Sequence, residues 1–162
     1  MTDDACASGQ RQPAGPVDAF IALGSNLGDR HAHLAHALSR IGELPGTSAV
    51  QCSSIIETDP VGPPGQGPYL NAVVQVRTGL SPATLLANLL EIECERGRNR
   101  TQEQRFGPRT LDLDLLLFAD WRVREPGLEV PHPRMAERDF VMLPLAQIAP
   151  LAAAAVRRGA LH

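Results

Sequence analysis

Residues 111–118 read Leu-Asp-Leu-Asp-Leu-Leu-Leu-Phe. Side chains two apart on a β-strand share a face. A strand here therefore turns Leu111, Leu113, Leu115 and Leu117 into a core and sets Asp112 and Asp114 side by side on the opposite face. Two carboxylates that close disfavour each other unless a cation joins them. The acidic face is either the solvated side of a half-exposed strand or a place where cations gather. Hard divalent ions such as Mg²⁺ take carboxylate together with phosphate oxygens, so the second alternative has a definite chemistry.

The segments before this strand restrict the fold further. Val17 to Leu23 is a short apolar run of strand length, closed by the turn Gly24-Ser25-Asn26-Leu27-Gly28. Asp29 is placed to cap a helix in which Leu34, Leu38 and Ile41 recur at i, i+4, i+7, and Pro45-Gly46 ends it. Thr47–Thr58 reads as a strand, and residues 59–68 as a rigid Pro/Gly loop of the kind that frames sites. Tyr69–Thr78 alternates, with Leu70, Ala72, Val74 and Val76 on one face. Ser81-Pro82 opens a second helix carrying Leu85, Leu89 and Ile92. The order strand, helix, strand, strand, helix, strand is the ferredoxin-like split βαβ pattern. It predicts an α+β fold, an antiparallel sheet with helices packed on one face. Residues 1–16, rich in Gly, Pro, Ser and Gln, read as a disordered tail. The remaining 17–162 read as one domain, and at 162 residues a core needs no disulfide or metal staple.

Charge narrows the function. All 15 basic residues are Arg, set against 18 acids for a net charge of -3. That balance argues against general nucleic-acid binding, and any anion site must use guanidinium forks, backbone amides or metal ions. Arg96, Arg98, Arg100, Arg105 and Arg109 crowd into one stretch whose single acid is Glu103. Arg forks match phosphate geometry. Alone, the stretch reads equally well as a basic surface loop; directly before Asp112 and Asp114 it resembles the second half of a nucleoside-triphosphate site, with acids for metals and arginines for phosphates.

Other candidates stand at loop edges. Tyr69, Phe106 and Phe140 offer stacking faces, and Asn71 offers the donor and acceptor that a flat heterocycle requires, although core packing explains any one ring as well. The Gly24–Gly28 turn can cradle an anion at a helix start but reads more simply as a turn with a cap. His31, His33 and His36 read as a solvated helix face. His132, between Pro131 and Pro133, is placed either to bond a phosphate or as part of a plain turn. Cys6, Cys52 and Cys94 are too far apart for a zinc or disulfide pattern and suggest a reduced, cytoplasmic compartment. The start of the chain has no apolar signal-peptide core, and Val141–Val156 is too short and too Pro-interrupted for a membrane span.

Several of these stretches together resemble the 6-hydroxymethyl-7,8-dihydropterin pyrophosphokinases. They are Gly24-Ser25-Asn26-Leu27-Gly28, Tyr69-Leu70-Asn71-Ala72, Arg105 to Asp114, Val130 to Met135, Arg138 and Phe140. The match runs in order from about Val17 to Pro150, and the Gly-Pro-Arg-Thr-Leu-Asp-Leu-Asp run is its most specific part. The resemblance implies a folate-pathway enzyme that moves the diphosphate of ATP to the hydroxymethyl oxygen of the pterin and releases AMP. It implies that Asp112 and Asp114 bind two Mg²⁺ ions bridging ATP phosphates, and that Arg98 and Arg109 clamp the transferring group. Arg100, His132 and Arg138 become further ATP contacts, with Glu93 and Leu115 near the nucleotide. Tyr69, Asn71, Phe106 and Phe140 hold the pterin, helped by backbone around Thr58 and Val61. Phe106 stands where the family often has Trp. The chain is expected to act as a monomer on small molecules, with no nucleic acid or membrane as partner. Two other classes fit the pattern less well: an RNA-recognition module, whose sheet would show stacking aromatics rather than acids, and a Mg²⁺-dependent nucleotide transferase with another acceptor.

Overall fold

The computed structural model describes residues 6–98 and 107–159. Strand β1 (Val17–Ser25) leads to helix α1 (Arg30–Gly42), then to β2 (Thr47–Cys52), β3 (Ile56–Thr58) and β4 (Tyr69–Thr78). Helix α2 (Pro82–Glu95), strand β5 (Asp112–Phe118), a small hairpin of β6 (Val123–Glu125) and β7 (Leu128–Val130), and helices α3 (Asp139–Ile148) and α4 (Pro150–Arg157) complete it. The main sheet runs β2-β4-β1-β5, with β3 also on β4, and the pairings are antiparallel. This is the strand order of the split βαβ pattern expected from the sequence.

The caps fall where the side chains place them. Asp29 accepts from the Ala32 N–H at 3.0 Å and Ser81 from the Thr84 N–H at 3.2 Å, ahead of Pro82, each satisfying an amide that the first helical turn leaves open. Gly28 has φ +75°, a left-handed conformation favouring glycine. The 24–28 segment is thus a turn leading into a capped helix.

The structure differs from the sequence reading in three respects. First, helices cover both faces of the sheet. Ile21, Leu23, Leu34, Ile41, Val74, Leu85, Leu89 and Leu113 form one core under α1 and α2. Phe20, Ala22, Val73, Leu116, Leu117, Val141, Met142 and Leu145 form a second under α3 and α4. The reason is visible in β1, whose residues from Ala19 to Ser25 are all buried: an apolar run on both faces needs two covers. Second, the 47–58 strand is two strands. Ser53 interrupts it, its N–H donating to the Val73 carbonyl and its hydroxyl accepting from the Val73 N–H, both at 2.9 Å. Third, part of the expected N-terminal tail is held. The Ala7 N–H donates to Arg122 O at 2.6 Å, the Gly9 carbonyl accepts from Ala83 at 2.8 Å, and the Arg11 guanidinium lies 4.9 Å above the Trp121 ring.

The histidines of α1 serve packing. His36 Nε2 lies 2.7 Å from Glu95 Oε2, and Arg40 joins the same carboxylate at 3.1 Å, tying α1 to α2. His33 Nδ1 accepts from Arg96 Nε at 2.9 Å. Among the described residues no three His, Cys, Asp or Glu side chains group to hold a metal by themselves, and no helix is long and apolar enough to cross a membrane.

Candidate active site

On the α3 side the sheet is uncovered near the ends of β1, β4 and β5. The pairing register explains the opening. Gly24 pairs with Asn71 of β4 on one side and with Asp112 of β5 on the other; Ala22 likewise sits between Val73 and Asp114. Alternation along each strand turns all six toward one face, and glycine and alanine on the central strand leave a floor without bulk. A cavity of about 460 Å³ stands over it.

The cavity gathers most of the residues singled out in the sequence. Thr58, Val61, Tyr69, Asn71, Arg109, Asp112, Asp114, His132, Arg138 and Phe140 all line it. At one end Asn71 is buried and its Nδ2 donates to Thr58 Oγ1 at 2.7 Å, which orients the amide with Oδ1 toward Gly24. The rings of Tyr69 and Phe140 flank this end, with Val61 exposed on the rim. At the other end stand Asp112 and Asp114, partly buried and embraced by guanidinium groups. Arg109 Nη1 approaches Asp112 Oδ2 at 3.1 Å, and Arg138 Nη1 lies 3.8 Å from Asp114 Oδ2. The Arg138 guanidinium also stands 5.7 Å from the Phe140 ring. One pocket thus joins a flat aromatic and amide end to a highly charged end.

His132 closes the charged end from above β5. Its N–H donates to Leu116 O at 2.8 Å, and its ring Nδ1 accepts from the Arg134 N–H at 3.2 Å. That bond leaves the ring proton on Nε2, a donor to an anion. Burial foremost, then the nearby Arg138, pushes its pKa down to about 4, with Asp112 pulling the other way.

Arg98 and Glu93 occupy a different place from the one the resemblance implies. Neither lines the cavity. Their side chains are 2% and 1% exposed and lie 2.9 Å apart. Glu93 Oε1 also accepts from the Leu113 N–H at 2.8 Å, while Arg98 Nη1 reaches Leu111 O at 3.2 Å and Asp112 Oδ1 at 2.7 Å. The pair is a buried bracket beneath β5 that grips Asp112 from behind. A charge alternation in sequence cannot tell a ligand from its support. The Leu115 side chain packs in the α1/α2 core, so only its backbone faces β1. Arg100 and Phe106 lie outside the described residues.

Sequence reading leaves out Ala22, Asp59, Arg134 and Glu137, which also line the cavity. Arg134 and Glu137 follow the Pro-His-Pro segment, and that proximity was the available signal. Ala22 carries no chemistry of its own, and only the strand register gives it a role.

The chain is similar to known proteins. The model of the family described as 7,8-dihydro-6-hydroxymethylpterin-pyrophosphokinase matches residues 20–150. The chain is 48% identical over 130 residues, 80% of its own length and 77% of the relative's, to the 2-amino-4-hydroxy-6-hydroxymethyldihydropteridine pyrophosphokinase of Bacillus subtilis. To the protein of that name from Pseudomonas aeruginosa it is 44% identical over 131 residues, 81% of this chain and 80% of that one. Among solved structures, an HPPK-DHPS in complex with substrates superposes with a TM-score of 0.64 at 14% identity, over 84% of this chain and 40% of that one. A Plasmodium falciparum HPPK-DHPS triple mutant superposes at 0.66 and 13% identity, over 87% and 41%. At such identity these two show the fold, and the chain spans about two fifths of their length.

Proposed function

Because this chain belongs to the 7,8-dihydro-6-hydroxymethylpterin-pyrophosphokinase family, we infer that the cavity over Gly24 is where its reaction takes place. The chain is an ATP-dependent diphosphotransferase acting on 6-hydroxymethyl-7,8-dihydropterin in folate biosynthesis. The observation that carries the site assignment is the row Asn71–Gly24–Asp112, which sets a heterocycle-binding amide and a phosphate-facing carboxylate on opposite sides of one glycine.

In this reading the pterin lies against Tyr69 and Phe140 with Asn71 at its polar edge, and its hydroxymethyl group points toward Asp112 and Asp114. ATP occupies the charged end, its phosphates met by Arg109, Arg138 and the Nε2–H of His132. The hydroxymethyl oxygen attacks the β-phosphorus and gives up its proton to solvent, the bond from that phosphorus to the α,β-bridging oxygen breaks, and AMP leaves with the bridging oxygen. Such a transfer needs in-line placement and charge neutralisation rather than a covalent intermediate. Arg109 supplies charge at the transferring group. The buried Glu93–Arg98 bracket holds Asp112 in orientation, so we assign Arg98 a supporting place.

The acidic pair fits Mg²⁺. Two hard carboxylates, with no group of three His, Cys, Asp or Glu around them among the described residues, suit an ion that keeps waters and completes its shell with phosphate oxygens. We propose that Asp112 and Asp114 hold two such ions, which when bound neutralise and align the phosphates. Arg100 and Phe106 complete the ATP and pterin ends in this proposal. We further propose that residues 17–162 work as one domain and as a monomer in the cytoplasm, on small molecules rather than on nucleic acid or membranes.

Incubation with ATP, Mg²⁺ and 6-hydroxymethyl-7,8-dihydropterin, followed by separation of nucleotides, tests the reaction. AMP formed only in the presence of pterin is the expected result. ADP, or no pterin-dependent product, would overturn it.

A further inference from the structure

We propose that Asn26 is a positioning residue for the reaction, acting through the backbone of Arg109. This rests on the reading of Arg109 given above. Asn26 sits just beyond the end of β1 and is 6% exposed. Its Oδ1 accepts from the Arg109 N–H at 2.8 Å, and its own N–H donates to the Arg109 carbonyl at 3.1 Å. The residue that presents the guanidinium to Asp112 is thereby clamped at both backbone polar groups. From the other side of the same amide, Nδ2 donates to Gln66 Oε1 at 3.1 Å and to Gly67 O at 3.3 Å. Gln66 Nε2 in turn donates to Pro63 O at 3.0 Å.

Through Asn26 these contacts join two segments of the site. The 59–68 loop departs from Thr58 and returns at Tyr69, two residues of the aromatic end of the cavity; Arg109 belongs to the charged end. A single side chain must therefore accept in one direction and donate in the other. Asn does so, since it carries one carbonyl and one NH₂. Asp keeps the acceptor for Arg109 but sets an oxygen against the carbonyls of Gln66 and Gly67. Ser is too short to span the gap. A displacement of about 1 Å in a catalytic group can cost on the order of 10² in rate, so an error in the Arg109 backbone reaches the chemistry even though Asn26 does not line the cavity.

A double-variant cycle between Asn26 and Arg109 decides the matter, with kcat, both KM values and ATP binding measured on the full chain. Asn26→Ala is expected to lower kcat by roughly ten- to a hundredfold while ATP binding changes far less. Asn26→Asp, which keeps the bond to the Arg109 N–H, recovers most of kcat. Because Asn26 acts through Arg109, Asn26→Ala adds no further loss to Arg109→Ala. Multiplying losses would overturn the inference, as would a wild-type kcat for Asn26→Ala. If Asn26→Ala does not fold, Asn26→Ser goes through the same cycle with the same expectations. A near-wild-type kcat for Arg109→Ala alone would instead sink the reading of the site on which the inference stands.

Discussion

Asn71 and Asp112 flank one residue of the central strand, Gly24, from opposite sides. This distance across the sheet sets how the amide end of the cavity is spaced from the acidic end. A Cβ at Gly24 would stand 3.1 Å from Asn71 Oδ1 and 3.5 Å from Tyr69 Cδ1, so the glycine leaves room for those two side chains, and in the proposed reading it also lets a flat ligand lie close to the sheet. Gly24 is not among the left-handed glycines, and alanine meets no backbone strain. Gly24→Ala should therefore lower the thermal midpoint modestly, as buried Asn71 gives way by a few tenths of an ångström, and raise the KM for the pterin by about tenfold, as about 1.4 kcal/mol of lost contact implies, with ATP binding retained. Calorimetry and steady-state kinetics on the same preparation test both halves. An unchanged pterin KM would show that the ligand does not lie over the glycine.

In the proposed reading Arg109 and Asp114 divide the work at the charged end. Removing one preorganised group that meets developing charge costs about 10²–10³ in kcat, and Arg109→Ala should fall in that range. Arg109→Lys should remain impaired, because a point charge does not reproduce a fork. Asp114→Asn should shift the Mg²⁺ dependence of turnover to higher concentration. Metal titrations of wild type and variant provide the check, and superimposed curves would exclude Asp114 as a ligand.

The alternation of Leu111, Leu113 and Leu115, the caps at Asp29 and Ser81, and the strand at 69–78 were legible because local periodicity and side-chain chemistry determine them, whereas the register shift between β1 and β5 turns Leu117 into the second core instead of the first. The cluster of Tyr69, Asn71, Asp112, Asp114, His132 and Phe140 was legible because chemistry-bearing side chains stood at loop edges and on one strand face. Three things were not. The second helical layer depends on α3 and α4 finding the Phe20 and Val73 face, a tertiary pairing that an apolar stretch does not announce. The role of Ala22 and Gly24 depends on cross-strand register. Glu93 and Arg98 were expected beside the nucleotide, and only burial and their bonds to Leu113 N–H, Leu111 O and Asp112 show them bracing β5.

That bracket should be felt in stability before it is felt in catalysis. Glu93→Ala removes a buried carboxylate from beside the Arg98 guanidinium, itself 2% exposed, while Asp112 remains at 2.7 Å, and it takes away the acceptor of the Leu113 N–H. Breaking a buried pair from one side costs about 3–5 kcal/mol. Denaturant unfolding of Glu93→Ala should show a loss of that size, whereas Glu43→Ala, at an exposed pair, should lose at most about 1 kcal/mol. Equal losses would mean that the bracket contributes no more than a surface pair.

His132 gives the protein a pH dependence whose sign can be worked out. Its folded pKa is lowered to about 4, chiefly by burial, while an unfolded chain titrates near 6.5. Between those values the unfolded state binds more protons, so stability rises with pH through the window. Read downward, the contribution is intact above about pH 6.5 and falls away as pH drops toward 4 (the folded ring takes a proton only there). Throughout the neutral range the ring stays uncharged with its proton on Nε2, set by the Arg134 N–H on Nδ1, and it donates a hydrogen bond without bringing a full charge. NMR titration of the ligand-free, metal-free protein should place the His132 midpoint well below 6.5. Relative to His132→Asn, the wild-type protein should lose stability on acidification from 6.5 to 4. A midpoint near 6.5 would mean that burial does not hold the His132 ring below the ordinary imidazole range.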